Sequence, residues 1–151
     1  MSELTIKGIV DSQIVKVKSL GLKLKTVDHY EGKYNPLMFE TNIVLAPFVL
    51  IHLDYDGPKE DQRVDTEEQT LRDLVFNYTV GSRSLLGRKE SKDDCYTILD
   101  GLEAGLEGVR LTTDGIQLPA LKQAKTFWLD TTKSGLVIYQ RSYILTFNKH
   151  Y

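Results

Sequence analysis

The sequence predicts an α+β domain in which one mixed, mainly antiparallel sheet carries two helices packed on one face. The first observation is residues 47–55, Pro-Phe-Val-Leu-Ile-His-Leu-Asp-Tyr, which are apolar on both faces, as in a central strand. The second is apolar alternation over residues 72–81 and 136–148. The third is a pair of amphipathic patterns at residues 5–19 and 92–107, each with one apolar stripe that one sheet face can bury.

Length and composition favour a single domain over residues 1–151. Of the 151 residues, 41% are hydrophobic and 26% are charged, which is ordinary for a globular protein. The single cysteine, Cys95, cannot form an internal disulfide, and the N-terminus lacks the layout of a signal peptide. The apolar runs are far shorter than the roughly 18 residues of a membrane span. We therefore expect a protein made in a reducing cytoplasm, without a membrane partner.

The first helix is predicted over residues 5–19 from apolar residues at steps of four, four and three: Ile6, Val10, Ile14 and Val17. Gly21 then ends it. Residues 22–27 alternate and predict a strand, with Lys23 and Lys25 on a solvated face or a guarded edge. Residues 28–35 predict a polar, aromatic loop, and residues 37–45 fit neither period.

The central strand is followed by an acidic loop and a partner strand. Residues 56–68 hold six carboxylates against Lys59 and Arg63, which predicts a hairpin loop. Residues 72–81 then alternate, with Leu74, Phe76, Tyr78 and Val80 on the apolar face. We expect this strand to pair antiparallel with residues 47–55.

The second helix is predicted to follow a basic loop. Residues 82–92 carry four cations against Glu90 alone, namely Arg83, Arg88, Lys89 and Lys92. Residues 91–94, Ser-Lys-Asp-Asp, have the capping-box pattern, and the apolar stripe after them is Cys95, Ile98, Leu99, Leu102 and Leu106. Gly108 ends the helix, while Gly101 and Gly105 either weaken its interior or let another segment approach closely.

The last third of the chain predicts short strands and a hairpin. Residues 109–112 can form a short strand before a tight turn at Asp114-Gly115, and Pro119 interrupts the residues after that turn. Residues 125–129 and 136–148 then predict a hairpin around residues 131–135. The longer arm has one apolar, aromatic face, formed by Val137, Tyr139, Tyr143, Leu145 and Phe147.

The strongest local hypothesis for an enzyme is a metal site. His52, Asp54 and Asp56 recur at every second position, which places them on one face of a strand end. Read as a calcium loop, however, this register puts Arg63 at the twelfth position, where a bidentate carboxylate is needed. We therefore expect no metal and no cofactor, and a metal-dependent hydrolase remains the enzyme alternative.

No nucleophile is supported by its surroundings in the sequence. Cys95 lies on an apolar helix stripe, where a buried thiol is the better interpretation. Ser82 and Ser84 lack the G-x-S-x-G elbow. We expect no catalytic residues and no enzymatic activity.

Charge disfavours nucleic acid and suggests contacts between subunits. The formal net charge is -2, so no global basic field supports sequence-specific or wrapping contacts with DNA. Trp128, Tyr139 and Tyr143 are more typical of core or interface anchors than of a base-stacking platform. The acidic and basic loops could instead dock one subunit on the next. The predicted interface residues are Asp56, Glu60, Asp61, Asp65, Glu67, Glu68, Arg83, Arg88 and Lys89.

Four segments follow one another in a characteristic order. They are the strands Pro-Phe-Val-Leu-Ile-His-Leu and Leu-Val-Phe-Asn-Tyr-Thr-Val, the helix Cys-Tyr-Thr-Ile-Leu-Asp-Gly-Leu and the strand Ile-Tyr-Gln-Arg-Ser-Tyr-Ile-Leu-Thr-Phe. This order of elements resembles the small tail proteins of Mu-like phages and prophages. That family is similar to the tail terminators of long-tailed phages.

The resemblance implies a virion protein, assembled in the host cytoplasm, that caps the tail tube as a homo-hexameric ring and meets the head–tail connector. It brings no catalytic residues. Another neck or tail-assembly protein is the structural alternative.

Overall fold

The computed structural model of the chain describes residues 4–30, 46–58, 71–84, 86–131 and 135–148. These residues form two helices, α1 (Ile6–Ser19) and α2 (Arg88–Leu106), and seven strands: β1 (Thr26–His29), β2 (Phe48–Pro58), β3 (Leu71–Ser82), β4 (Arg110–Thr113), β5 (Ile116–Ala120), β6 (Lys122–Thr131) and β7 (Val137–Asn148). Five strands form one sheet in the order β1-β2-β3-β7-β6, and β4 and β5 form a separate pair. Only β1 and β2 run parallel among these pairs, so the predicted mixed α+β fold is confirmed.

The predicted central strand is confirmed as β2, which is buried on both faces at its start. Val49 and Ile51 join the main core, whereas Phe48 and Leu50 join a smaller cluster with Leu136 and Ile138 on the opposite face. β3 pairs antiparallel with β2 as predicted. Its even-numbered face also enters the main core as predicted.

Both helices pack on the same face of the sheet, as predicted. One core holds the apolar stripes of α1 and α2 together with side chains of β2, β3 and β7. The stripe of α2 is the predicted one. In α1 the buried set is shifted, because Ile6 is the first helical residue and is 36% exposed while Ile9 is buried.

The segment after α1 corrects the strand predicted over residues 22–27. The strand β1 starts only at Thr26 and continues to His29, within the stretch predicted as a loop. Leu20 and Leu22 instead turn towards α2, where each lies against a helical glycine. The apolar side chains of this segment are therefore buried by packing on α2, and the segment does not pair in the sheet.

The end of the chain forms the predicted hairpin with a longer first arm. β6 begins at Lys122 and pairs antiparallel with β7, whose predicted apolar face lies in the main core. The turn at Asp114-Gly115 is confirmed by positive φ angles of 49° and 79°. Pro119 lies inside β5 and does not end it. The pairing of β4 with β5 is irregular there, with a register shift between Arg110 and Thr112 and no partner residue for Pro119.

Candidate functional site: a basic cleft at the start of the second helix

A cleft of about 460 Å³ lies between the first turns of α2 and the β6–β7 hairpin. Three cations line it on the helix side, and an exposed tryptophan lines it on the sheet side. The lining residues are Arg88, Lys89, Lys92, Trp128, Thr131 and Val137. Cations beside a large apolar ring are the composition of a surface that binds an anionic partner.

The helix side of the cleft exists because α2 begins earlier than its sequence pattern predicts. Ser91 is fully buried and does not cap the helix, so the predicted capping box is wrong. Its hydroxyl accepts the N–H of Ser84 at 2.8 Å and donates to the carbonyl of Gly87 at 3.0 Å. This folds the connection after β3 onto the helix, which begins at Arg88.

The early start of α2 places the predicted loop cations on a helix. Arg88 and Lys92 are four residues apart and therefore share one helix face. Arg88, Lys89 and Lys92 are all exposed. The helical backbone therefore fixes the spacing at which these three side chains leave the helix.

The aromatic residue on the sheet side of the cleft is Trp128. Trp128 of β6 stands opposite Tyr139 of β7, and 54% of its surface is exposed. Its indole N–H donates to the hydroxyl of Thr131 at 2.9 Å, which orients the ring. Tyr139 is buried and meets Tyr96 edge to face, with the two hydroxyl oxygens 3.1 Å apart. Burial and this hydrogen bond raise the pKa of Tyr139 to about 12, so its phenol is uncharged at neutral pH.

The predicted acidic partners lie away from the cleft or outside the described residues. Asp56 belongs to β2 and not to the loop, and Arg72 of β3 holds it through two hydrogen bonds of 2.6 Å. Arg83 follows β3 and is half-buried. The remaining predicted interface carboxylates, Glu60, Asp61, Asp65, Glu67 and Glu68, lie outside the described residues. No local pattern in the sequence links Trp128 to the cations, since Arg88 and Trp128 are 40 residues apart in the chain.

The metal hypothesis required His52, Asp54 and Asp56 on one face, and the strand does not provide this. The pairing of β2 with β3 shifts register between Leu53 and Tyr55. His52 therefore shares a face with Asn77, whereas Asp56 shares one with the core residue Leu74. Among the described residues no group of three histidine, cysteine or acidic side chains could hold a metal ion.

His52 is instead part of a half-buried aromatic contact. Its ring centroid lies 5.3 Å from that of Tyr30. Burial lowers the pKa of His52, and the nearby carboxylate of Asp54 opposes this shift. The imidazole is therefore neutral at pH 7.

Cys95 is buried on the apolar stripe of α2, as predicted. Its thiol donates to the carbonyl oxygen of Val137 at 3.3 Å. Burial raises the pKa of Cys95 to about 12, so little nucleophilic thiolate forms at neutral pH.

Neither described helix is long and apolar enough to cross a membrane.

No family model matches the sequence, and no curated protein matches it. Among solved structures, the chain is similar to a chain of the "Virion of native gene transfer agent (GTA) particle". The match has 12% sequence identity and a TM-score of 0.54, and it covers 93% of each chain. This likeness extends over nearly the whole of both chains, and at this identity it establishes a shared fold.

Proposed function

We propose that the protein is a structural component of a phage-like virion, and specifically a tail terminator. In this role it caps the tail tube as a ring and joins the tube to the head–tail connector. The observation that carries the proposal is the fold shared with a gene transfer agent virion chain over 93% of both chains. The resemblance of the strand and helix sequences to small tail proteins of Mu-like phages supports the finer assignment.

A closed ring needs two different, complementary patches on each subunit. The described cleft supplies a cationic patch beside the indole of Trp128. The sequence supplies an anionic patch between β2 and β3, because residues 59–70 contain five carboxylates and only two cations, Lys59 and Arg63. We infer a homo-hexameric ring whose partners are the tail tube protein and the head–tail connector, located in the virion after assembly in the host cytoplasm.

Charge would set the orientation of neighbouring subunits, and aromatic contact would supply much of the affinity. Exposed ion pairs contribute only about 0–1 kcal/mol each. Trp128 offers a large apolar surface on the sheet side of the cleft, and tryptophan is enriched among residues that dominate binding energy. Assembly should therefore weaken, without vanishing, as salt shortens the screening length to about 8 Å at physiological ionic strength.

Polymerisation of the tail tube protein in the presence of the purified chain tests the terminator role. We expect shorter tubes with a ring at one end in electron micrographs. A variant with Arg83→Glu, Arg88→Glu and Lys89→Glu should be more monomeric by light scattering and should cap less well. Tubes of equal length with and without the chain would refute the terminator assignment. Binding to the connector without any effect on tubes would favour the neck-protein alternative.

A further inference from the structure

We propose that the basic cleft binds the acidic segment, residues 59–70, of a second copy of this chain. The inference deepens the proposed function and rests on it, because it names the two patches that meet in the ring. Three observations support it: the opposite charges of the cleft and the segment, the distance along the sheet between them in one subunit, and the residues that surround the cleft.

Charge complementarity selects this segment as the occupant. Arg88, Lys89 and Lys92 present three exposed cations to the cleft. The acidic segment has the sequence Lys-Glu-Asp-Gln-Arg-Val-Asp-Thr-Glu-Glu-Gln-Thr and therefore has a negative net charge. Val64 is its one apolar residue.

The distance along the sheet between the acidic segment and the cleft indicates that their contact forms between two copies of the chain. In the pairing of β3 with β7, Leu71 stands opposite Asn148 and Ser82 opposite Val137, which lines the cleft. Trp128 pairs with Tyr139, which stands opposite Val80, so the part of the cleft nearer to Leu71 lies nine residue steps from it, about 30 Å at roughly 3.3 Å per step. The acidic segment is attached beside Leu71, at the end far from the cleft.

The acidic segment is too short to reach the cleft of its own subunit. It has twelve residues and is tied at one end to Pro58 and at the other to Leu71, which belong to paired strands. A chain fixed at both ends extends at most half its length, here six residues or about 22 Å. This is less than the distance of about 30 Å along β3 from Leu71 to the level of Trp128, so a cleft filled by the segment belongs to another subunit. Such a contact is head-to-tail, as a closed ring requires.

The surroundings of the cleft favour a protein segment over a nucleic acid. Glu90, Asp93 and Asp94 lie on the same first turns of α2 as the three cations, and both aspartates are exposed. A continuous polyphosphate would meet these carboxylates as well as the cations. A short segment with interspersed Lys59 and Arg63 can match a surface of mixed sign.

Fluorescence provides a direct test because Trp128 is the only tryptophan of the chain. A synthetic peptide of residues 58–71 is titrated into the dilute, monomeric protein. We expect a saturable change in Trp128 emission that weakens at least about tenfold between low salt and about 0.5 M salt, as charge-dependent docking requires. The control peptide carries amides in place of its five carboxylates and should bind at least about tenfold more weakly.

A charge-swap experiment tests the same contact in the whole protein. The cleft variant is Arg88→Glu, Lys89→Glu, Lys92→Glu, and the segment variant is Glu60→Lys, Asp61→Lys, Asp65→Lys, Glu67→Lys, Glu68→Lys. All three exchanged cations are exposed, and circular dichroism checks that each variant is folded. Each variant alone should stay monomeric at concentrations where the parent assembles. An equimolar mixture should assemble, because each variant then meets only opposite charges.

Three outcomes would overturn the inference. They are an unchanged Trp128 emission with the acidic peptide, a mixture of variants that stays monomeric while the parent assembles, and tighter binding of oligothymidine than of the peptide. Peptide binding with tubes that are not capped would refute the terminator role alone. Capped tubes without peptide binding would refute this contact alone.

Discussion

The side chain of Leu20 fills the space beside Gly105 of α2. A Cβ on Gly105 would stand 2.3 Å from Cδ2, 2.6 Å from Cδ1 and 3.0 Å from Cγ of Leu20. One turn earlier, Leu22 lies against Gly101 in the same way, but with only one atom, Cδ2 at 2.4 Å, in close approach. These glycines cost helix propensity, and they let the segment after α1 pack directly on α2.

The first prediction is that Gly105→Ala lowers the free energy of unfolding. Alanine improves helix propensity by about 1 kcal/mol, but overpacking against Leu20 costs about 1–3 kcal/mol. We expect a net loss of up to about 2 kcal/mol in denaturant melts. Gly101→Ala is the matched control and should cost less, because Leu22 can move its single close atom. The double variant Gly105→Ala, Leu20→Ala should show positive coupling, and a stabilised Gly105→Ala protein would contradict the packing argument.

The second prediction concerns a buried polar pair between α1 and β3. The hydroxyl of Tyr78 donates to the side-chain oxygen of Gln13, and both residues are fully buried. Tyr78→Phe leaves that oxygen without its donor and should cost about 1–3 kcal/mol. The double variant Gln13→Met, Tyr78→Phe should cost less than the sum of the two single changes. Additive losses in denaturant unfolding would show that the two groups are not coupled.

The third prediction is that Ser91→Ala loosens the start of α2. The change removes the acceptor of the Ser84 N–H, and we expect a loss of about 1 kcal/mol with faster amide exchange at Ser84. Ser19→Ala is the control, since the Ser19 hydroxyl donates to the Lys16 carbonyl on an exposed helix end. That variant should stay within about 0.5 kcal/mol of the parent. Equal effects of the two changes would remove Ser91 from its positioning role.

The fourth prediction is a loss of stability in mild acid caused by His52. Burial lowers the pKa of His52 in the folded state, so the unfolded chain binds the proton first as pH falls below about 6.5. Stability is therefore complete above that value and declines between it and the lower folded-state pKa.

His52→Gln should flatten the decline in melting temperature between about pH 7 and pH 5. Asp54→Asn should steepen it, because the Asp54 carboxylate opposes the shift. Parallel pH profiles for parent and His52→Gln would exclude this histidine as the cause.

Side-chain periodicity alone was enough to predict the elements that bury one face or both. β2, β3, β7 and both helices were predictable because each has a face with an apolar period of 2 or 3.6. In β3, for example, Phe76 and Tyr78 alternate with more polar neighbours and lie in the main core, where Tyr143 of β7 stands opposite Phe76. The fold class and the shared helix face follow from those periods, since an apolar stripe has to be buried.

The starts of these elements, their register and the meeting of distant residues depend on contacts that form only in the folded chain. Ser91 has a capping pattern, but its burial commits its hydroxyl to the preceding turn. One register shift in β2 separates His52 from Asp56, which a regular strand would keep on one face. The basic cleft joins Lys92 to Trp128 through the packing of α2 beside β6 and β7. Local periodicity encodes burial, whereas register and long-range packing are set by contacts between segments far apart in the chain.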